Sequence, residues 1–203
     1  MKIKVCGITN ANIAKLCDDY CCEFVGAVFY PKSPRYITPR QAKEVFSDLK
    51  NSQLVAVVVN LTFAELSEIF KDFTPNYVQF HGDENQVFLE QFRKKFPNIG
   101  IIKAFRVSSS KDLYQINEFE ALADYFLFDA KDPGAGKNFD WSCLQEIKIK
   151  KPWFLAGGLT LDNIDQAVKI TKAKMIDISS SLEKIRGQKN EELIKEFFNK
   201  IKK

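Results

Sequence analysis

Eight short runs of β-branched and aromatic residues recur along the chain, each followed by a segment with helical periodicity. They cover residues 3–6, 24–29, 54–59, 77–80, 101–105, 125–128, 153–156 and 175–178. None alternates strictly between apolar and polar residues, which is the pattern of strands covered on both faces. Their ends are spaced by roughly 21 to 30 residues, close to one strand–helix–strand repeat. Between them, Ala42, Val45, Phe46 and Leu49 form an apolar stripe at helical spacing. Thr62 and Glu65 read as a capping box ahead of Leu66, Ile69 and Phe70. Thr160 is placed to cap a helix carrying Leu161, Ile164 and Val168, and Leu193, Ile194, Phe197, Phe198 and Ile201 share one face of a last helix. Eight such units predict a (βα)₈ barrel, an α/β fold, as a single domain over residues 1–203, at the short end of that fold's range. A doubly wound open sheet is the alternative, which the strand count disfavours.

With 203 residues, 45% apolar and 28% charged, the chain can bury a sizeable core and is neither disordered nor membrane-like. Its longest apolar runs, such as residues 54–59, reach about a third of a membrane span. The first residues, Met1-Lys2-Ile3-Lys4-Val5, lack the apolar stretch of a signal peptide. Both points lead us to expect a soluble, cytoplasmic protein. Basic residues number 30 against 26 acidic ones, a net charge of +4, too balanced to call for nucleic acid. The basic end, Lys195, Lys200, Lys202 and Lys203, reads as a solvated helix face. Five cysteines, Cys6, Cys17, Cys21, Cys22 and Cys143, make an odd count that argues against a disulfide framework. No pair has zinc-finger spacing and there is one histidine, so no structural metal is expected. Cys21 and Cys22 are expected on a helix packed behind the second strand.

In a barrel of this kind the chemistry sits at the C-terminal ends of the strands. Cys6 ends the first; it is either a buried structural thiol or, with a neighbour that lowers its pKa, a base. The loop after the second strand holds Pro31, Pro34 and Arg35, whose planar fork suits a carboxylate. The fourth ends in Gln79, Phe80 and His81, two polar groups that meet either a substrate or each other. Asp129 follows four apolar residues, a costly place for a carboxylate unless it is paired or faces a pocket. Such a setting can make a general acid, while a helix cap or a Lys131 partner is the plainer reading. Gly134-Ala135-Gly136 then reads as a lid-like loop. Gly157 and Gly158 after the seventh strand, and Ser179, Ser180 and Ser181 after the eighth, lie in the two loops where phosphate commonly binds in barrels. Around the ring, Cys6 and Asp129 sit three strands apart, with Arg35 opposite strand six. That arrangement fits an aldose-type phosphosugar bearing a carboxylate.

The strand ends also resemble a known family along nearly the whole chain. Lys4-Val5-Cys6-Gly7-Ile8-Thr9, Ser33-Pro34-Arg35, Val78-Gln79-Phe80-His81-Gly82, Phe139-Asp140-Trp141, Leu155-Ala156-Gly157-Gly158-Leu159 and Asp177-Ile178-Ser179-Ser180 are similar, in order, to motifs of the phosphoribosylanthranilate isomerase family. The resemblance implies an Amadori rearrangement of N-(5-phosphoribosyl)anthranilate to its 1-deoxyribulose isomer in tryptophan biosynthesis. It implies Asp129 as general acid, Cys6 as general base and Arg35 facing the anthranilate carboxylate. It also implies Asp177, with Gln79 and His81, on the substrate, and Gly157, Gly158, Ser179, Ser180 and Ser181 in the phosphate loops. No cofactor or metal is implied, and the partner is a small molecule rather than nucleic acid or membrane, bound by a monomer or homodimer.

Two departures stand out. Pro133 precedes Gly134-Ala135-Gly136 where the family has a glycine-rich lid. Ser181 stands where the family usually has glycine, and a positive φ there would strain it. Competing readings are another phosphosugar barrel such as indole-glycerol-phosphate synthase, for which Lys103 would be a fragment of the catalytic set, and a non-enzymatic binding module.

Overall fold

The structure is a computed structural model and describes residues 1–130 and 139–201. All eight expected strands are present, parallel, and closed in sequence order into a barrel. They are β1 (Lys2–Cys6), β2 (Phe24–Val28), β3 (Gln53–Val58), β4 (Tyr77–Phe80), β5 (Gly100–Val107), β6 (Tyr125–Ala130), β7 (Trp153–Leu155) and β8 (Met175–Ile178). Closure rests on β1 pairing with β8, with Lys4 opposite Asp177. Residues 131–138, which include Pro133 and the Gly134-Ala135-Gly136 stretch read above as lid-like, lie outside the described residues.

The two faces of the barrel explain why the strands read as continuous apolar runs. On β1, Ile3 and Val5 join the outer core against the helices, whereas Lys4 and Cys6 point inward. The floor of the interior is aromatic. Phe24 packs edge-on against Tyr77, Tyr125 and Phe154 with centroids 5.2 to 5.8 Å apart. Each such pair contributes about 0.5–1.5 kcal/mol beyond area burial. Because these residues begin their strands, the plug closes the N-terminal end. The inward polar residues Cys6, Gln79, Asp129 and Asp177 come late in theirs, so the opposite end is left for chemistry.

Among the described residues, six α-helices cover the outside: α1 (Ala11–Asp19), α2 (Pro39–Val45), α3 (Phe63–Asp72), α4 (Gln86–Lys95), α5 (Ile164–Thr171) and α6 (Glu191–Ile201). Thr62 and Glu65 form the expected capping box on α3. α6 buries Ile194, Phe197 and Phe198.

Three expectations are corrected, and one element is new. Among the described residues, the helices after β5 and β6 are 3₁₀ helices, Ser110–Phe119 and Trp141–Gln145, rather than α-helices. In the first, the buried residues Leu113, Ile116 and Phe119 recur every third position, which matches a helix of three residues per turn. Thr160 does not cap α5: its hydroxyl accepts from the Asn163 N–H, and its own N–H donates to Asn163 Oδ1, in a turn before the helix. Cys21 and Cys22 lie beyond α1, whose last residue is Asp19. Cys21 is exposed with φ +56°, and buried Cys22 directs its thiol to the carbonyls of Ile3 and Phe24. Finally, the segment after β8 forms a small antiparallel ribbon, β9 (Glu183–Ile185) and β10 (Gln188–Lys189), that the sequence did not announce. Among the described residues no helix is long and apolar enough to cross a membrane.

Candidate active site

At the open end of the barrel lies a cavity of about 300 Å³. Cys6, Arg35, Gln79, His81, Asp129, Asp177 and Ser179 all line it, so one hollow gathers seven of the residues singled out from the sequence.

Cys6 ends β1 opposite Gly26, where an added Cβ would lie 3.1 Å from the thiol sulfur. Beneath it, fully buried Lys4 pairs with Asp177 at 3.0 Å. Burial pushes the Cys6 thiol up, with the Lys4 cation pulling the other way. Burial also disfavours the Lys4 cation, but Asp177 and Cys6 outweigh it and hold the ammonium above its ordinary value. The base candidate therefore has a permanent cation beside it.

Asp129 is anchored on one side and flanked on the other. Its Oδ1 accepts the Ala130 N–H at 2.8 Å, and its Oδ2 lies 3.4 Å from His81 Nε2 without a hydrogen bond between them. The Gln79 amide nitrogen lies 2.9 Å from His81 Nδ1, a contact that turns Nε2 toward Asp129. Gln79 thus orients His81, and His81 flanks the carboxylate.

The loops after β7 and β8 meet as expected. Gly157, Gly158, Ser179 and Ser180 line one small groove that also touches Asp129 and Asp177. Both glycines have positive φ, +84° and +62°. Ser181 behaves differently from the expectation. Its φ is not positive, since it sits in the 3₁₀ turn Ser180–Leu182, and no strain arises. Its hydroxyl donates to the Leu159 carbonyl at 2.6 Å, tying the two loops together rather than facing the groove.

Arg35 is buried, and its stem crosses Gly7, where an added Cβ would lie 2.3 Å from its Cδ. The sequence reading missed its partner, Glu183, and the further cations Lys32, Arg106 and Arg186 that line the cavity. Lys103 donates to Glu84 and to the Gly82 carbonyl at 3.1 and 2.9 Å, in a neighbouring hollow of about 470 Å³ between the β4 and β5 loops. It does not line the cavity of Cys6 and Asp129, which removes the support for the synthase reading.

Comparison with known proteins gives a consistent picture. The family model for N-(5'-phosphoribosyl)anthranilate isomerase matches residues 3–200. A relative from Acaryochloris marina, named N-(5'-phosphoribosyl)anthranilate isomerase, is 34% identical over 99% of this chain and 98% of its own. Among solved structures, phosphoribosyl anthranilate isomerase from Thermotoga maritima superposes with a TM-score of 0.88 at 32% identity, covering 100% of this chain and 98% of that one. A further structure of such an isomerase, bound to reduced 1-(o-carboxyphenylamino)-1-deoxyribulose 5-phosphate, gives a TM-score of 0.83 at 30% identity, with 100% and 98% covered.

Proposed function

Because the chain belongs to the N-(5'-phosphoribosyl)anthranilate isomerase family, we propose that the cavity above the barrel is its active site, with Asp129 as general acid and Cys6 as general base. The reaction is the Amadori rearrangement of N-(5'-phosphoribosyl)anthranilate to 1-(2-carboxyphenylamino)-1-deoxyribulose 5-phosphate, a step of tryptophan biosynthesis.

The observation that carries the assignment of roles is the shared cavity: an acid and a base on non-adjacent strands, between a glycine–serine groove and a cationic mouth. In the proposed sequence, Asp129 gives a proton to the ribose ring oxygen while the anilino nitrogen pushes the ring open to an iminium. Cys6, as thiolate, takes the proton from the second sugar carbon, and the electrons of that bond neutralise the iminium to an enamine. Ketonisation returns a proton to the first carbon, so that carbon is reduced and the second is oxidised within one molecule. Proton transfers by positioned groups contribute about 10²–10⁴-fold each. His81, 3.4 Å away, flanks the Asp129 carboxylate that remains after transfer.

Substrate placement follows from charge. The phosphate goes to the amides of Gly158 and Ser180, with Gly157 and Ser179 shaping the groove and Ser181 holding its two sides together. Arg35 takes the anthranilate carboxylate, and Lys32, Arg106 and Arg186 add to the cationic mouth. Asp177 orients the sugar hydroxyls from the cavity floor. Every one of these groups comes from a single chain, so a monomer would suffice and a homodimer would add none; sedimentation at working concentration distinguishes the two. The five free thiols support residence in the reducing cytoplasm. The test of the activity is an isomerase assay following loss of substrate fluorescence. Lack of turnover by folded protein would overturn the reading.

A further inference from the structure

The buried charge cluster beside the cavity has no role in the sequence of proton transfers, yet its geometry is specific. Arg35 donates from Nε and Nη2 to the two carboxylate oxygens of Glu183, at 2.7 and 2.9 Å. The Arg35 and Glu183 side chains are only 8% and 3% exposed. Lys189, more deeply buried still, donates to the same carboxylate and also reaches Ser179 Oγ at 3.3 Å. The Gly187 N–H donates to Glu183 Oε2 at 2.9 Å. Gly187 itself lies so close to the loop of Arg35 that an added Cβ would sit 2.3 Å from the Pro34 carbonyl oxygen. The β9–β10 ribbon is therefore fastened to the segment that carries Arg35.

We propose that Glu183 is a positioning residue for recognition of the substrate's carboxylate: it occupies one fork of the Arg35 guanidinium and turns the other toward the cavity. This rests on the reading of Arg35 given above. A guanidinium carries five N–H donors arranged so that two carboxylates can be met on different edges. Glu183 engages the edge made by Nε and Nη2, leaving the end formed by the two Nη groups. An arginine paired with one carboxylate has little net pull on a second. Lys189 offsets this while it carries its proton, giving the trio of Arg35, Glu183 and Lys189 a net positive charge; burial and Arg35 pull its ammonium below the ordinary value, and Glu183 opposes them. Hydrogen bonds from Arg35 and the charge of Lys189 overcome burial and hold the Glu183 carboxyl below its ordinary value, so it stays an anion at working pH. Stability alone does not call for such a cluster, since apolar side chains of equal volume fill a buried site as well or better. Ser179 ties the cluster to the end of β1, because its hydroxyl accepts from Lys189 and donates to the Cys6 carbonyl at 2.9 Å.

The experiment uses Glu183→Gln and the double variant Glu183→Met/Lys189→Met, which leaves no buried ion of that pair without its partner. Each is titrated with reduced 1-(o-carboxyphenylamino)-1-deoxyribulose 5-phosphate and with the same compound lacking the carboxylate. The carboxylated compound should bind at least about tenfold more weakly, as for one lost charge-assisted contact. In Glu183→Gln, which keeps Lys189 beside Cys6 and Ser179, the other should stay within about twofold, and KM should rise while kcat stays within about threefold. Arg35→Ala, run beside them, reports on the underlying reading. If it fails to discriminate between the compounds, the carboxylate assignment falls and the positioning role falls with it. If it discriminates while folded Glu183 variants bind both compounds like wild type, only the positioning role is wrong. Equal weakening of both compounds, or failure of both variants to fold, marks the cluster as structural and overturns the proposal.

Discussion

Replacing Gly157 by alanine isolates what the glycine after β7 is for. Its φ is +84°, and a methyl group there would sit 2.6 Å from the Ala130 nitrogen and 3.1 Å from Asp129 Oδ1. Those two atoms are the donor and acceptor of the 2.8 Å bond that fixes the side chain of Asp129, the proposed acid. The new methyl therefore strains its own backbone and presses on the bond that orients Asp129. Left-handed strain on a residue with a Cβ costs about 1–2 kcal/mol. Weakening a hydrogen bond to a charged group costs about 1.5–3 kcal/mol. For a domain of this size the sum lowers Tm by roughly 5–20 °C. The kinetic effect follows from displacement, since a misplacement of about 1 Å in a reacting group can cost about 10²-fold in rate. Gly157→Ala should thus lose about a hundredfold in kcat, measured by substrate fluorescence, with KM changed far less. If the glycine served only to expose amides to phosphate, KM would rise and kcat would hold. A folded variant with wild-type kcat would refute the link between Gly157 and the acid.

Three further outcomes are expected. Cys6→Ala and Asp129→Asn should each lower kcat by about 10²–10⁴-fold in proteins that melt like wild type; because burial lifts the Cys6 thiol, wild-type kcat/KM should climb with pH as thiolate forms, and a Cys6→Ala variant of wild-type rate would make the thiol structural. Ser181→Gly, which installs the residue the family resemblance leads one to expect, should lower stability by about 1–2 kcal/mol, through loss of the bond to Leu159, and thermal melts showing a gain would mean Ser181 is strained after all. At the opposite end of the barrel, Asp18 accepts the N–H groups of Lys50, Asn51 and Ser52 at 3.1, 2.9 and 2.8 Å, so Asp18→Ala should cost about 3–5 kcal/mol with kcat unchanged. Against burial, those amides hold its carboxyl below the ordinary 3.8. The contribution is therefore complete above that pH and is lost as pH falls through the lower folded value; denaturant melts that show the loss already near neutrality would break the argument.

What the sequence revealed and what it hid divide by range along the chain. A strand is a local run, and the residue that ends it is local too, so Cys6, Gln79 and Asp129 stood out at the strand ends, while Asp177 was reached only through the family resemblance. Six ordered motifs then fixed the family. The supports of those residues are not local. Lys4 and Asp177 lie near opposite ends of the chain, and they pair only because the sheet closes with β1 against β8. Arg35 precedes Glu183 by 148 residues, and the ribbon that presents Glu183 has strands of three and two residues, too short for any periodicity. Asp18 bonds to backbone amides 32 to 34 residues away, whose N–H groups carry no side-chain signature. The spacing of Leu113, Ile116 and Phe119 was visible, but a three-residue period is easily absorbed into a helical one until the turn is seen. Groups that do chemistry must sit at a strand end whatever holds them, and so they leave a local trace. Groups that hold them need only be adjacent in space, and the closed barrel is what makes them so.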